Sequence, residues 1–535
     1  MGSREVVTFQ FGNYSNFVGT HWWNIQESYF QYDERNPSDI NHDVLFREGK
    51  TSRGQATFTP RLILVDKAEN MINIPILSEA PEESTSAVSN DDQTIAIQDQ
   101  NLPEKHEFIK DLERIEKGQQ VEINSKDYNF GETVRTWCDF LKTKYHPKSV
   151  CSIPSYFEMD VFHSGVDIYG VLEEDLIEKI RSYMEECDNS QGFQVVVDAT
   201  DGFGALADRT LTHIEDEYPS KSVLTIPVIP NHFENSLPID NIKRTINIML
   251  TYQKLSENSS LVVPIGTNSS AWKTLGPPID YPNILYNPVN RYQTSGILAS
   301  FLDTATLKYR LRDDYNYMHD LVYGLNYYNK KICAASMSLP FPIGPDSYLL
   351  DTLENLDDAM PLWSQMTPGC EISDNTILYQ RISVRGIPVS RLRNPKINKE
   401  NSRAYSCSTI EELIHLYLSF RLTTISDVTS ANVPLKTAVP FPKIFSPHVS
   451  PLGAVDENST RIENNEVNSC PVITGIHCCK GIGRMLDSLH KCVKAVNIKR
   501  FHHFLGSHMD LDEFNEILEK VLAMGYGYAS DVELR

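Results

Sequence analysis

The sequence predicts an α/β protein whose first half is built on a parallel sheet, and three features carry that prediction. Short β-branched and aromatic runs such as Arg4–Phe11, Thr59–Asp66 and Val195–Val197 are apolar enough to be buried. The first and third of these run into a Gly-containing break and then into a stretch with helical spacing of apolar residues, as βα units do. At 535 residues, 41% apolar and 10% aromatic, the chain has material for about two to four packed domains and is not a disordered protein.

Charge and cysteine usage narrow the function classes. A formal net charge of −22 argues against broad nucleic-acid binding and weakens direct attraction to anionic lipid. Ten cysteines without a C-x-x-C pair read as reduced thiols of a cytosolic protein. No amino-terminal apolar stretch resembles a signal peptide, and no run of about 18 apolar residues is present, so attachment to an organelle would be peripheral.

In chain order, Arg4–Phe11 reads as a strand broken by Gly12-Asn13-Tyr14-Ser15-Asn16, and Phe17–Tyr29 as an aromatic-rich helix. Asp43–Arg47 follows, then Thr59–Asp66, a buried strand ending in a carboxylate. From Leu77 to about Glu107 the composition turns to Ser, Glu, Asp, Gln and Pro, which predicts an acidic disordered insertion on a loop. Trp137–Leu141 reads as a helix and Tyr145–Val150 as a turn into a strand. Leu172–Cys187 has apolar residues at Leu172, Leu176, Ile177, Ile180, Tyr183 and Met184, amphipathic helix spacing with the acidic face solvated. It leads into Gln191–Ala207, where the strand Val195–Val197 feeds Asp-Ala-Thr-Asp-Gly-Phe-Gly and a helix carrying Leu206, Leu211 and Ile214. Beyond it, Val223–Ile229 is a strand, Lys243–Leu255 a helix and Leu261–Val263 a strand. Asn394–Arg403 and Pro442–Asn468 read as exposed polar loops, and Phe501–Met524 as an amphipathic helix with Asp510 as N-cap.

The pattern R-E-V-V-T-F-Q-F-G-x-x-x-N-x-V-G-x-x-W-W, followed about forty residues on by F-T-P-R-L-I-L-V-D, resembles the amino-terminal nucleotide-binding domain of the tubulins. The paired Trp22-Trp23, Asp43–Arg47 and the F-T-P-R segment resemble more closely their divergent relatives, the Misato family, in its insect-type form. The resemblance covers about the first 310 residues at motif grade and is looser beyond. It implies a tubulin-like fold: a GTPase-type domain over 1–290, a central helix over 291–310 (seen in Tyr292–Asp303), a smaller α+β domain over 311–470 and a carboxy-terminal helical region over 471–535. Leu321–Leu325 with Lys331–Phe341, and Ile377–Val384, would then start the second domain's sheet.

A strand feeding a Gly-containing turn that opens a helix presents backbone N–H groups to a phosphate, although an ordinary strand-to-helix turn has the same local pattern. By the resemblance, the vestigial GTP-site residues are Gly12, Asn13, Asn16, Asp66, Thr200, Gly202, Gly204 and Asn268. Each loop departs from the tubulin pattern. Tyr14 and Ser15 replace small residues, Lys67-Ala68-Glu69-Asn70 lacks a Pro-Gly turn, and no Asn-rich cluster stands between Ser155 and Tyr169. Phe203 is wedged between Gly202 and Gly204, Asp198 and Asp201 add negative charge, and Gly296 stands where the central helix should supply an asparagine. No acidic residue lies in Asn290–Gly296, where the catalytic contact is expected. Each lost charge-assisted hydrogen bond removes about 1.5–3 kcal/mol, so three would cost roughly 10³-fold in affinity. The expectation is no catalytic residue, no hydrolysis, and no cofactor beyond weakly bound GTP.

His477, Cys478, Cys479, His490, Cys492, His502 and His503 match no zinc module and read as ordinary side chains rather than a metal site. Lys480, Arg484, Lys491, Lys494, Lys499 and Arg500 make a modest basic cluster, a solvated helix face or a contact surface. Similarity to Misato proteins further implies a non-enzymatic role in mitochondrial distribution, morphology and inheritance. It implies a cytoplasmic pool, peripheral attachment to the mitochondrial outer membrane, and a part in spindle microtubule assembly through tubulin and the cytosolic chaperonin, without nucleic acid. The alternative is a divergent cytomotive GTPase that binds GTP and polymerises.

Overall fold

Six consecutive buried residues, Val6–Phe11, form the central strand β1, with Val7, Phe9 and Phe11 on one face and Thr8 and Gln10 on the other. The computed structural model describes residues 4–30, 38–50, 54–77, 104–233, 236–312, 316–326, 329–356, 361–396, 403–421, 424–456, 458–461, 466–506 and 508–529. Most of the expected acidic insertion, 78–103, and part of the polar loop 394–403 lie outside these.

After β1 come α1 (Asn13–Ser28), an antiparallel hairpin of β2 (Phe46–Lys50) and β3 (Ala56–Pro60), and β4 (Leu62–Lys67). Next are α2 (Glu107–Glu116), the short α3 (Phe130–Thr133), β5 (Val150–Ile153), α4 (Phe162–Glu185), β6 (Gly192–Asp198) and α5 (Phe203–Glu217). β7 (Ser222–Ile229), α6 (Pro238–Asn258), β8 (Leu261–Val262) and β9 (Ile265–Gly266) complete a parallel sheet of order β5-β4-β1-β6-β7-β8, with β9 also on β7. Phe9 is in register with Ile63 on one side and Val195 on the other. The Val7, Phe9 and Phe11 face packs under α4 and α5 through Ile168, Leu172, Leu176 and Leu211. The opposite face carries α1, α6 and α7 (Arg291–Ala305) and is continuous with the core of the second half.

The second half runs α8 (Met318–Val322), β10 (Ala334–Ser338), α9 (Leu349–Asn355), β11 (Ser364–Gln365), β12 (Ile377–Arg385), α10 (Arg403–Ser406) and α11 (Ile410–Arg421). It continues with β13 (Ile425–Ala431), the small pair β14 (Leu435–Lys436) and β15 (Ser469–Cys470), β16 (Val472–Cys479), α12 (Lys480–Lys494) and α13 (Leu511–Ala529). Its mixed sheet has the order β11-β10-β16-β12-β13. A buried polar ladder crosses four of these strands. Ser336 Oγ lies 2.7 Å from His477 Nε2, His477 Nδ1 lies 3.0 Å from Gln380 Oε1, and Gln380 Nε2 donates to Ser426 Oγ at 2.7 Å. Burial pushes the His477 imidazole down to about 3, so it stays neutral and keeps one nitrogen as an acceptor.

Several elements differ from expectation. α1 begins at Asn13, four residues before Phe17, because a carboxyl from β6 caps it. Thr59–Asp66 is two strands: Pro60 closes β3, and the chain then changes partner from β2 to β1. Trp137–Phe140 is a single 3₁₀ turn, and the helix expected at Leu172 starts at Phe162. Leu321 lies in α8, with Asp320 Oδ2 accepting from the Tyr317 N–H at 2.6 Å, so the sheet strand starts only at Ala334. Pro442–Asn468 is not simply exposed: Ile444, Val449 and Val467 are buried, and Leu285 N–H donates to Ile444 O at 2.6 Å. The last helix starts at Leu511 rather than Phe501, with Asp510 Oδ1 accepting from Glu513 N–H at 2.8 Å.

The two halves are joined at Asp303 near the end of α7, a fully buried carboxylate. Arg310 Nη2 donates to its Oδ1 at 3.0 Å and Arg385 of β12 pairs with its Oδ2; both guanidiniums are fully buried. Gln26 donates to Oδ1, Tyr29 OH donates to Oδ2 at 3.2 Å, and Gln26 Oε1 accepts from Arg310 at 2.7 Å. α1, α7 and β12 therefore share one desolvated charge cluster. Removing one partner from such a cluster strands the others in low dielectric. Asp303→Asn is expected to lower unfolding stability by about 3–5 kcal/mol, read as a fall in the urea midpoint.

Candidate functional site

The chain leaves β1 toward β4 and β5, then returns to the other side of β1 as β6. In a doubly wound sheet the crevice at this reversal, outside the carboxyl ends of the strands, is the usual ligand position. The loops after β1, β4 and β6 meet there, bringing Gly12, Asn13, Asn16 and Asp66 beside the Asp198–Gly204 turn.

The amino-terminal amides of α1 point into this crevice, and Asp198 occupies them. Its Oδ2 accepts from Tyr14 N–H at 3.0 Å and its Oδ1 from Ser15 N–H at 2.7 Å. Gly12 sits at φ 108°, and a Cβ there would lie 2.5 Å from the Asp198 carboxyl carbon. Gly12 therefore allows the approach of a side chain from β6. Burial and then Asp201 push the Asp198 carboxyl well up, against the two amides, which lower it. In either protonation state the amides face oxygen.

Asp66 is fully buried in a cage of donors. Its Oδ2 accepts from Trp137 Nε1 at 2.9 Å and Asn16 Nδ2 at 3.2 Å, and its Oδ1 from Lys67 N–H and Asn70 Nδ2, each at 2.8 Å. Burial raises its carboxyl while these four donors lower it. Asp201, half-buried, accepts from Phe203 N–H at 3.1 Å. Burial, with Asp66 and Asp160 nearby, pushes it up to about 7. Tyr14 fills the side toward α7, its ring buried and its hydroxyl donating to Thr294 Oγ1 at 2.9 Å.

Thr200, Gly202 and Gly204 are held by helices on both sides. Thr200 O accepts from Asn247 Nδ2 at 2.8 Å, and Asn247 Oδ1 accepts from Phe162 N–H at 2.9 Å, so one α6 side chain ties this turn to the start of α4. Gly202 N–H donates to Met159 O at 2.7 Å, and a Cβ on Gly165 of α4 would overlap Gly202 O. A Cβ on Gly204 would overlap Thr251 Oγ1 of α6. These glycines serve close helix packing. Asn268 is not brought to the group: it lies past β9, beyond β7, where its Nδ2 donates to Asn231 O at 3.3 Å. Asn13 Oδ1 and Asn16 Oδ1 are buried without a hydrogen-bond partner among the described residues.

The stretch Asn290–Gly296 is not an outward-facing contact segment. Asn290 caps α7, and Tyr292, Thr294 and Ser295 are buried against α1 and its neighbours. Reasoning from sequence also missed Trp137, Asn247 and Thr294 as crevice-forming residues; no local motif marks them, since each acts on a partner distant in the chain. Elsewhere, His477 is enclosed in the second sheet, and Cys478 and Cys479 are buried, with Cys479 Sγ 3.9 Å from Cys370 Sγ.

Comparison with known proteins places this geometry. Residues 4–114 match the family model described as Misato Segment II tubulin-like domain, and residues 128–311 match the one described as tubulin domain. The chain is similar to Protein misato of Drosophila melanogaster, 30% identical over 98% of this chain and 99% of that protein. It is 29% identical to Protein misato homolog 1 of Danio rerio over 98% of this chain and 97% of the relative, and 28% identical to that of Homo sapiens over 98% of each.

Two outcomes follow from the crevice. Because the folded-state value of Asp201 is raised above its unfolded one, its contribution to stability is present below about pH 4 and lost as pH rises toward 7. Asp201→Asn should flatten that fall, gaining about 1–2 kcal/mol over the parent at pH 8 and little at pH 4, once allowance is made for the water reaching this side chain. Gly204→Ala should destabilise by about 1–3 kcal/mol in thermal melts, equally with and without added GTP, because the clash is with α6.

Proposed function

The chain belongs to the Misato family of tubulin-like proteins, and on that premise we propose that it works without catalysis, as a tubulin-shaped surface offered to tubulin and to the cytosolic chaperonin. In this reading it acts in mitochondrial distribution, morphology and inheritance and in spindle microtubule assembly, from a cytoplasmic pool and from peripheral attachment to the mitochondrial outer membrane. No helix among the described residues is long and apolar enough to cross a membrane, which fits a peripheral attachment.

The observation that carries the non-enzymatic reading is the Asp198 carboxyl on the first amides of α1. A guanine nucleotide would need those donors for its phosphates. The residues present do not fit it: the amides are engaged, Gly12 is pressed against Asp198, and Tyr14 fills the flank toward α7. Displacing two hydrogen bonds of about 0.5–1.5 kcal/mol each would take roughly 5- to 100-fold from nucleotide affinity. It would also set a polyanion beside the buried Asp66, Asp198 and Asp201 carboxyls, whose ionisation burial already opposes and the polyanion would oppose further.

Calorimetric titration of the purified protein with GTP and Mg²⁺ should give no binding heat at micromolar concentrations, and a hydrolysis assay on the same sample no turnover. In parallel, the protein should co-elute with purified tubulin or chaperonin on gel filtration. Tight GTP binding with turnover, and co-elution with neither, would replace this reading by a polymerising GTPase.

A further inference from the structure

In a chain of net charge −22, residues 480–503 hold six Lys or Arg side chains against the single carboxylate of Asp487. α12 sorts them. Ile482, Met485, Leu486, Leu489 and Val493 face the core, while Arg484, Lys491 and Lys494 are exposed at helical spacing on the opposite face. The row continues past the helix end through exposed Lys499 and Arg500. Lys273 comes close enough to Cys492 to act on its thiol, and exposed Tyr526 of α13 lies near Lys491.

Two of these cations have weak partners. Arg484 is 3.6 Å from Glu371 with both side chains more than half exposed, and Lys491 pairs with Asp487 at 2.5 Å within its own helix. Lys494, Lys499 and Arg500 have no ion pair among the described residues. The helix dipole accounts for Lys491 and Lys494 in the last turn of α12, since cations are favoured there. It does not account for Lys499 and Arg500, which lie beyond that turn.

We propose that the exposed face of α12, extended through Lys499 and Arg500, is a docking surface for an acidic polypeptide segment. This rests on the charge row alone and is independent of the reading of the nucleotide-type crevice. The dimensions suit a peptide: α12 is about 22 Å long, which spans roughly seven residues of an extended chain. The rest of the molecule selects against larger polyanions. A bilayer surface or a nucleic-acid duplex would bring the protein's excess carboxylates within a Debye length of about 8–10 Å, where they are repelled, whereas a short acidic segment meets only the local field.

The test uses the full-length protein, a fluorescein-labelled decaglutamate peptide, an uncharged Gly/Ser peptide of equal length, and vesicles of phosphatidylcholine with phosphatidylserine. Anisotropy at about 50 mM salt should show binding of decaglutamate but not of the Gly/Ser peptide, weakening steeply as salt rises. The variant Lys494→Glu/Lys499→Glu/Arg500→Glu should lose roughly 30-fold in affinity while keeping the parental melting temperature. Charge reversal at Lys105 and Lys110, exposed cations already paired elsewhere, should leave the affinity unchanged. No decaglutamate binding, binding that the triple variant retains, or flotation with the vesicles that the triple variant abolishes would each overturn the proposal. If the triple variant melts early, Lys499→Ala/Arg500→Ala replaces it and must show the same direction of loss.

Discussion

The first turn of a helix leaves amide donors without partners inside the helix, and at the centre of a sheet's carboxyl edge they must be met by something. Here they are met from within. Asp198, 184 residues along the chain, places one oxygen on Tyr14 N–H and the other on Ser15 N–H. Much of the crevice depends on that contact. It needs Gly12 without a side chain, and it sets where α1 begins and hence which face carries the buried Trp22-Trp23 pair. It also aims Tyr14 across to Thr294 at the start of α7. A carboxyl used in this way is a structural part of the strand-helix junction between β1 and β6.

From there α7 carries the constraint to the second half. Its first turn is held by Tyr14, and its last by the Asp303 cluster with Arg310, Arg385, Gln26 and Tyr29. Buried ion pairs add little net stability over apolar packing, because desolvation offsets most of the attraction. What they add is intolerance of misplacement. Arg385 reaches Asp303 only if β12 lies against α7 in one register, and its guanidinium also stacks 4.8 Å above the Tyr29 ring and donates to Val433 O. One buried carboxylate thus specifies how α1, α7 and the second sheet meet.

The sequence made the elements legible where burial is local and periodic. Val195–Val197 and Val223–Ile229 could be read because a β-branched, predominantly apolar run flanked by turn residues has few other uses. Asp510 could be read as a cap because its target lies three residues on. Failures cluster where a distant group decides. The start of α1 was missed because its cap comes from β6. Asp198 was read as a charge that would repel phosphates, when it is the acceptor in their place. Gly202 and Gly204 look like a phosphate loop by spacing, yet Gly165 and Thr251, on helices before and after, explain them. Nothing local in Pro442–Asn468 says that residues 444–446 pair along residues 283–285 or that Val449 is buried. Composition marks that stretch polar, and long-range contact overrides it.

A ligand can move an equilibrium only by binding one state better than another. In this crevice the donors a phosphate would distinguish are already engaged by the chain, and the helix running from it to the second sheet is clamped at both ends. A conformational signal starting at the crevice would have to release Asp198 from two amides and then carry α7 past a fully buried carboxylate paired with two fully buried guanidiniums. Each step costs more than a weakly held ligand returns. On the proposed reading, the shape that a partner would meet is constant, set once on folding. Control over such an encounter would then fall to surfaces outside the core, such as the proposed charge row on α12, where affinity would follow ionic strength and the charge of the partner rather than the state of a bound nucleotide.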